Sequence, residues 1–379
     1  MVKKEKLLAF SLTKSYLLIL SKILTFGNKN EKKQSFHFVF LSLNRIFAAE
    51  FQSEAMNLKI RIIERYDELP DVSDKSFFHS KEFFRIVAVT SGHHPFMVVA
   101  EREDGTVAAQ MLAATRRHGS LIPPYLFSQG RVYGEGVYAD DVDRDEVFGM
   151  MLKAITKRFK YSLCLYAEFS NISQKMFGYR HFRDEGFFPV SWQEVYNSLH
   201  LWPDDVNIDK RLMRHIKRGL NQGVTTRELD GDCDLQPCYK LLRSYHRLKF
   251  RTFLPPYRFF VELHNDPHAH FFLTEYAGKP IGACVCVYSD NKAYMWFAAS
   301  KRMSHSRQHP ASVVLYHAIS AAKEAGCQQF YFMNAGLPFR KSRDRDFILK
   351  FDGKPVAKYR WFRFFPPLLN RFLSWLYRE

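Results

Sequence analysis

Val98-Val99-Ala100-Glu101-Arg102-Glu103-Asp104-Gly105-Thr106-Val107-Ala108-Ala109 carries one apolar run into an acidic-glycine turn and out again as a second. Phe272-Leu273-Thr274-Glu275-Tyr276-Ala277-Gly278-Lys279-Pro280-Ile281-Gly282-Ala283 repeats the pattern. Apolar runs on either side of such a turn read as β-hairpins. Each hairpin is followed downstream by a helical pattern and a short buried strand, 146–159 then 163–167 in the first case and 311–325 then 329–333 in the second. One α/β unit written twice predicts two similar halves, with function sought in the cleft they form.

The chain has 379 residues, enough for two ordinary domains. Its 46% hydrophobic and 25% charged content is that of a globular protein. The net charge of +17 is concentrated in three places. Residues 1–55 hold nine Lys/Arg against four Asp/Glu, residues 207–258 twelve against five, and residues 340–379 eleven against four. Such segments suit polyanions (phosphates, tRNA, an anionic membrane face) as well as a plain solubilising surface. The cysteines at 164, 233, 238, 284, 286 and 327 match no zinc spacing and no disulfide framework, so a reducing cytoplasm is expected. Cys284 and Cys286 alternate in an apolar strand and should share one core face.

Residues 1–55 differ from the rest. Lys3, Lys4 and Lys6 precede an apolar run over 7–24, but Lys14 and Lys22 interrupt it. At about 2.5–3.5 kcal/mol per charge at bilayer depth, two lysines argue against a spanning helix. Met56 opens the alternating strand Leu58-Lys59-Ile60-Arg61-Ile62-Ile63, so the biological start is expected there, or else 1–55 is an N-terminal extension.

In the body, Ser80 caps a helix over 81–90, and Trp192 begins a closing strand. Residues 207–220 form a strongly basic helix with Lys210, Arg211, Arg214, Lys217 and Arg218 at helical spacing, stopped at Asn221-Gln222-Gly223. Further helices are expected over 235–250 and 257–264. The run Ala293-Tyr294-Met295-Trp296-Phe297-Ala298-Ala299 reads as a buried strand. A basic loop with Lys301, Arg302, His305, Arg307 and His309 then leads through Pro310 into the next helix. The run His264, His268, His270 has no acidic or cysteine partner at ligand spacing, so no metal site is expected.

Three stretches carry a family resemblance: Lys210-Arg211-Leu212-Met213-Arg214-His215-Ile216-Lys217-Arg218-Gly219; His309-Pro310-Ala311-Ser312 with Ala325-Gly326-Cys327-Gln328-Gln329-Phe330-Tyr331-Phe332; and Leu349-Lys350-Phe351-Asp352-Gly353-Lys354-Pro355-Val356. In this order they resemble the tandem GNAT acyltransferases, specifically the FemAB-like branch with its BioF-like acetyltransferase domain. The resemblance implies an α/β (α+β) fold of two tandem GNAT-like domains, each a mixed twisted sheet flanked by helices, over 56–203 and 204–358. It implies transfer of an acyl group to an amine, from acyl-CoA or, in the peptidoglycan-bridge relatives, from aminoacyl-tRNA, without a metal. The phosphate loop of ordinary GNAT enzymes is glycine-rich, whereas Arg302 to Pro310 has no glycine here.

On that resemblance, Lys350, Asn334 and His309 are the candidate catalytic residues, with Leu349 in the lysine's place if Gly353 sets the register. Arg302, Arg307 and Ser312 are candidates for holding the donor. Arg211, Arg214 and Arg218 share one helix face and are candidates for tRNA or substrate phosphate. Residues 359–379 read as a basic amphipathic tail, suited to peripheral contact with the inner membrane face from Trp361 to Tyr377 and to a lipid-linked amine acceptor. A non-catalytic nucleic-acid-binding protein would account for the charge, though not for the repeated α/β units.

Overall fold

The computed structural model describes residues 51–53, 58–70, 76–117, 128–203, 207–230, 235–247, 254–301, 303–333 and 335–377. The N-terminal segment through residue 50, Met56, Cys233, Arg302 and Asn334 lie outside them. The first half runs β1 (Leu58–Ile63), α1 (Lys81–Ala88), β2 (His93–Glu101), β3 (Val107–Arg117), β4 (Ser128–Tyr133), β5 (Val137–Tyr138), α2 (Arg144–Tyr161), β6 (Cys164–Ser170), α3 (Tyr179–Asp184) and β7 (Phe188–Ser198). The second runs α4 (Lys210–Asn221), β8 (Thr225–Glu228), α5 (Leu235–His246), α6 (Tyr257–His264), β9 (Ala269–Tyr276), β10 (Lys279–Ser289), β11 (Lys292–Ser300), α7 (Pro310–Glu324), β12 (Gln329–Phe332), α8 (Arg343–Ile348) and β13 (Lys354–Phe364). Helix α9 (Pro367–Leu376) follows.

Local chemistry sets these boundaries. Ser80 Oγ accepts the Phe83 N–H and starts α1; Asp209 accepts the Leu212 N–H at 2.8 Å and starts α4. Gly223, at φ +85°, ends α4 in a conformation that costs glycine nothing. In the second hairpin Ala277 and Gly278 both have positive φ, as a two-residue turn between twisted strands requires.

The strands make one continuous sheet in the order β1-β2-β3-β4-β6-β13-β7-β12-β11-β10-β9-β8, with β5 paired to β3. Within each half one neighbouring pair is parallel, β4 with β6 and β11 with β12. The final strand of each half is exchanged: β7 lies antiparallel to β12 of the second half, and β13 antiparallel to β6 of the first. The two exchanged strands pair with each other at the centre, from Lys354↔Tyr196 to Phe362↔Phe188.

This exchange corrects the expected tail. Residues 359–364 belong to a central strand, and Trp361 is 0% exposed, stacked at 4.5 Å on Phe182. Trp361 is therefore no membrane contact. Only α9 answers to the amphipathic segment read from the sequence, with Leu368 81% and Trp375 65% exposed.

One apolar core joins the halves, Phe84 and Val99 packing with Leu242, Phe260 and Val285. A second lies on the other face of the second half, between β7, β12, α4 and α7, around Ile216, Val314, Ile319 and Phe330. Cys284 and Cys286 are buried with Sγ atoms 3.7 Å apart on one face, as their alternation implies. Burial pushes the Cys164 thiol up to about 11 and Cys238 up to about 12, so both are packing groups, poor as nucleophiles.

Candidate active site

The two parallel pairs differ where it matters. In the first half β4 follows β6 over its whole length, from Ser128↔Cys164 to Tyr133↔Ser170, and the Gly134 N–H adds a bond to Ser170 O at 2.7 Å. In the second half the pairing stops after Met295↔Phe332. Beyond it β11 continues through residues 296–300, hydrogen-bonded to β10 alone among the described strands. Among the described strands none pairs with the other edge of β11 at residues 296–300, and this edge beyond the end of β12 is the opening between the two strands. The backbone groups of such an edge can bind an extended ligand and face a developing oxyanion.

Beside this opening, α4 lies against the start of α7. Gly219 makes the approach possible: a Cβ there would sit 2.6 Å from the Gln308 carbonyl oxygen and 2.8 Å from Val313 Cγ2. Leu212, Ile216 and Gly219 are buried, which turns Arg211, Arg214, Lys217 and Arg218 to solvent. The His215 ring stacks on that of His309, with centroids 4.0 Å apart and planes within 5°. His309 is the N-cap of α7 and is left-handed, at φ 49°. Burial, then Arg211, Arg218, Arg214 and Lys350, push His215 below its ordinary value. Burial, His215 and Arg218 do the same to His309. Two neutral imidazoles thus sit in a field of fixed positive charge, and neutral imidazole can take a proton.

The sequence-predicted residues are partly brought together. Lys350 is exposed on a 3₁₀ turn whose carbonyl accepts the Asp209 N–H at 2.9 Å, which sets it at the start of the basic helix. Leu349, the alternative in register, packs against the second-half core. Arg307 is exposed on the loop before α7, and Ser312 is buried in its first turn. The start of α7 is less open to an anion than its sequence implies. Pro310 has no N–H, and the N–H groups of Ser312 and Val313 already bond to the His309 carbonyl. The three histidines of the 264–270 run have separate partners: His264 meets Phe271, His268 bonds Asp266, and His270 bonds Glu228.

A second set of polar groups escaped the sequence reading. Arg131 forms an ion pair with buried Glu168, whose carboxylate also takes Gln129 Nε2 at 3.0 Å and Arg360 at 3.3 Å. Arg116 bonds Gln129 Oε1 at 2.7 Å, and Arg360 bonds the Met333 carbonyl at 2.9 Å while lying 4.0 Å over Trp192. These residues come from β3, β4, β6 and β13, so no local motif announces them. Of these, Arg116 and Arg131 line a pocket of ≈ 90 Å³ between the halves, walled by Tyr133, Phe259, Trp296 and Phe297.

Residues 207–341 match the family model described as an acetyltransferase (GNAT) domain. No curated protein matches the chain. Among solved structures, FemX superposes with a TM-score of 0.57 at 11% identity, over 79% of this chain and 94% of its own. L-PGS from Bacillus licheniformis gives 0.52 at 14%, over 78% and 93%. The C-terminal domain of a protein described as a lysylphosphatidylglycerol synthetase from Agrobacterium fabrum gives 0.52 at 12%, over 79% and 91%. At these identities the superpositions speak to fold. Residues 207–341 thus match a GNAT acetyltransferase domain, and the chain has a fold like that of FemX.

Proposed function

We propose that the second half transfers an acyl group to an amine in the opening between β11 and β12, with acyl-CoA as the donor. The observation that carries this reading is the early parting of those two strands beside the basic cluster. The amine nitrogen attacks the acyl carbonyl carbon. A C–N bond forms, the bond from that carbon to the donor's sulfur breaks, and the thiolate leaves. The nitrogen's proton passes to a neutral imidazole, His309, directly or through water, and the leaving sulfur is protonated in turn. Lys350 holds a donor phosphate or steadies the tetrahedral oxyanion, and Arg302, Arg307 and Ser312 bind the donor. Asn334, just past β12, positions the amine.

A second donor, aminoacyl-tRNA, is favoured by two observations. The N–H groups at the start of α7 are largely used internally, and Arg211, Arg214 and Arg218 form an exposed row suited to a long polyanion. There the bond broken is the ester C–O bond. Helix α9, with Leu368, Phe372 and Trp375 exposed beside Arg371, supports a lipid-linked acceptor at a membrane surface. Among the described residues no helix is long and apolar enough to cross a membrane.

The test is ligand-dependent thermal stabilisation of the full chain with acyl-CoAs and charged tRNA side by side, because a ligand bound to the native state alone raises its melting temperature. A shift with an acyl-CoA, followed by transfer to an amine, supports the leading reading. A shift with charged tRNA alone moves the donor to tRNA. Salt-sensitive tRNA binding with no transfer to any amine overturns both.

A further inference from the structure

The pocket between the halves has apolar walls and a charged floor. Trp296 lies 5.6 Å from Phe259, 5.7 Å from Phe83 and 5.8 Å from Tyr133, which makes the walls aromatic. The floor holds Arg116 and Arg131, and Arg131 joins it to the Glu168–Arg360 network, with the Arg131 side chain 12% exposed and that of Arg360 10%. Glu168 is one carboxylate between two guanidinium groups, and the neighbouring Glu194 is engaged by Lys358 at 3.0 Å. Arg131 Nε and Arg360 Nε are both buried without a hydrogen-bond partner. Arg116 enters the same network through Gln129 and lines the pocket beside Arg131. Burial, with Arg131 adding to it, pushes Arg360 down to about 10 and lowers Arg116 as well, whereas Arg131 itself is raised because Glu168 and Tyr133 outweigh its burial.

Burying a guanidinium group costs several kcal/mol unless its charge is met. A guanidinium fork matches a planar or tetrahedral oxyanion. At ≈ 90 Å³ the pocket suits a small ligand, such as an anion on a short aliphatic stem.

The pocket also adjoins the opening described above. Trp296 and Phe297 are the first residues of β11 beyond its pairing with β12, and Arg360 holds Met333, the first residue beyond the end of β12. We infer that this pocket is an oxyanion subsite, in which Arg116 and Arg131 bind a carboxylate or phosphate on a short aliphatic stem and so anchor an anionic amine acceptor at the opening. The role as acceptor anchor rests on the proposed transfer reaction; the anion site itself does not.

Isothermal titration of the full chain, without any donor, separates the two. The probes are propionate, methyl phosphate and the neutral propionamide. At least one anion should bind about tenfold or more tightly than propionamide, because a charge-assisted bond at a desolvated site outweighs a neutral one. Propionate binding identifies a carboxylate site, and methyl phosphate binding a phosphate site. Arg116→Gln should weaken the preferred anion about tenfold. Arg131→Lys keeps a charge opposite Glu168, loses the fork, and should weaken it less. Circular dichroism confirms that both variants are folded, and if Arg131→Lys is not, Arg116→Gln alone decides. The inference is overturned if neither anion binds, if propionamide binds equally well, or if the folded variants bind as the wild type does. Activity plays no part in these readouts, so a chain that binds anions but transfers nothing would overturn the proposed reaction and leave the subsite standing.

Discussion

The two halves carry the same parallel strand pair in opposite states. In the first, β4 and β6 are closed along their length, and the residues at their side-chain level, Arg131, Glu168 and Ser170, are bonded to one another. In the second, β11 outruns β12 and leaves its wall open. A closed pair has spent its backbone groups on the sheet, whereas an open pair can still offer them to a ligand. The family match falls on residues 207–341, in the open half. On the proposed reading the chemistry belongs to the open copy and support to the closed one: the closed pair would supply buried charge and the open pair the slot.

The sharpest way to break this contrast is Glu168→Gln. It leaves Arg131 and Arg360 in the buried floor without a carboxylate, and removing one partner of such a group costs about 3–5 kcal/mol. Urea denaturation should show that loss; a change under 1 kcal/mol would mean the closed half does not depend on its charge network. Lys350→Ala should act on the open half alone, lowering kcat/KM about 10²-fold with little change in melting temperature. Lys160→Ala, on the first half's surface, is its control and should leave kcat/KM unaltered. Gly219→Ala presses on the Gln308 carbonyl and should cost about 1–3 kcal/mol while parting His215 from His309, read as a raised histidine pKa by NMR.

The smallest effect is one of pH, and it belongs to the first half. Burial holds His79 down to about 3, and the N–H groups of Leu112 and Gly136 point at its ring nitrogens from 3.1 and 3.0 Å. The unfolded chain binds a proton near pH 6.5 that the folded chain refuses. The contribution is therefore whole above that pH and is lost progressively as pH falls toward 3, amounting to about 2 kcal/mol by pH 5. Urea melts at pH 7 and pH 5 should differ accordingly, and by less in His79→Gln.

What was legible in the sequence was what is local. The hairpins at Gly105 and Gly278, the cap at Ser80, and the basic face of α4 follow from neighbouring residues. The stack of His215 on His309 joins residues nearly a hundred positions apart, though both lie in stretches that carried the family resemblance. The strand exchange had no local mark. Tyr359-Arg360-Trp361-Phe362-Arg363-Phe364 alternates aromatic and basic residues as an interfacial tail would. The arginines instead find carboxylates and carbonyls, Arg360 meeting Glu168 and Arg363 meeting Glu185, which lets the strand run through the sheet centre. Arg116, Arg131, Glu168 and Arg360 meet only once the halves have folded together, so their proximity belongs to topology.

The exchange of β7 and β13 also fixes an order of events during synthesis. The first half can form its helices and hairpin as they emerge from the ribosome, yet β6 keeps a bare edge until β13 is made. Until then that edge is a template for any passing strand. The last strand translated is the one that seals the first half, so a ribosome stalled before Phe364 would release a protein exposed at its centre.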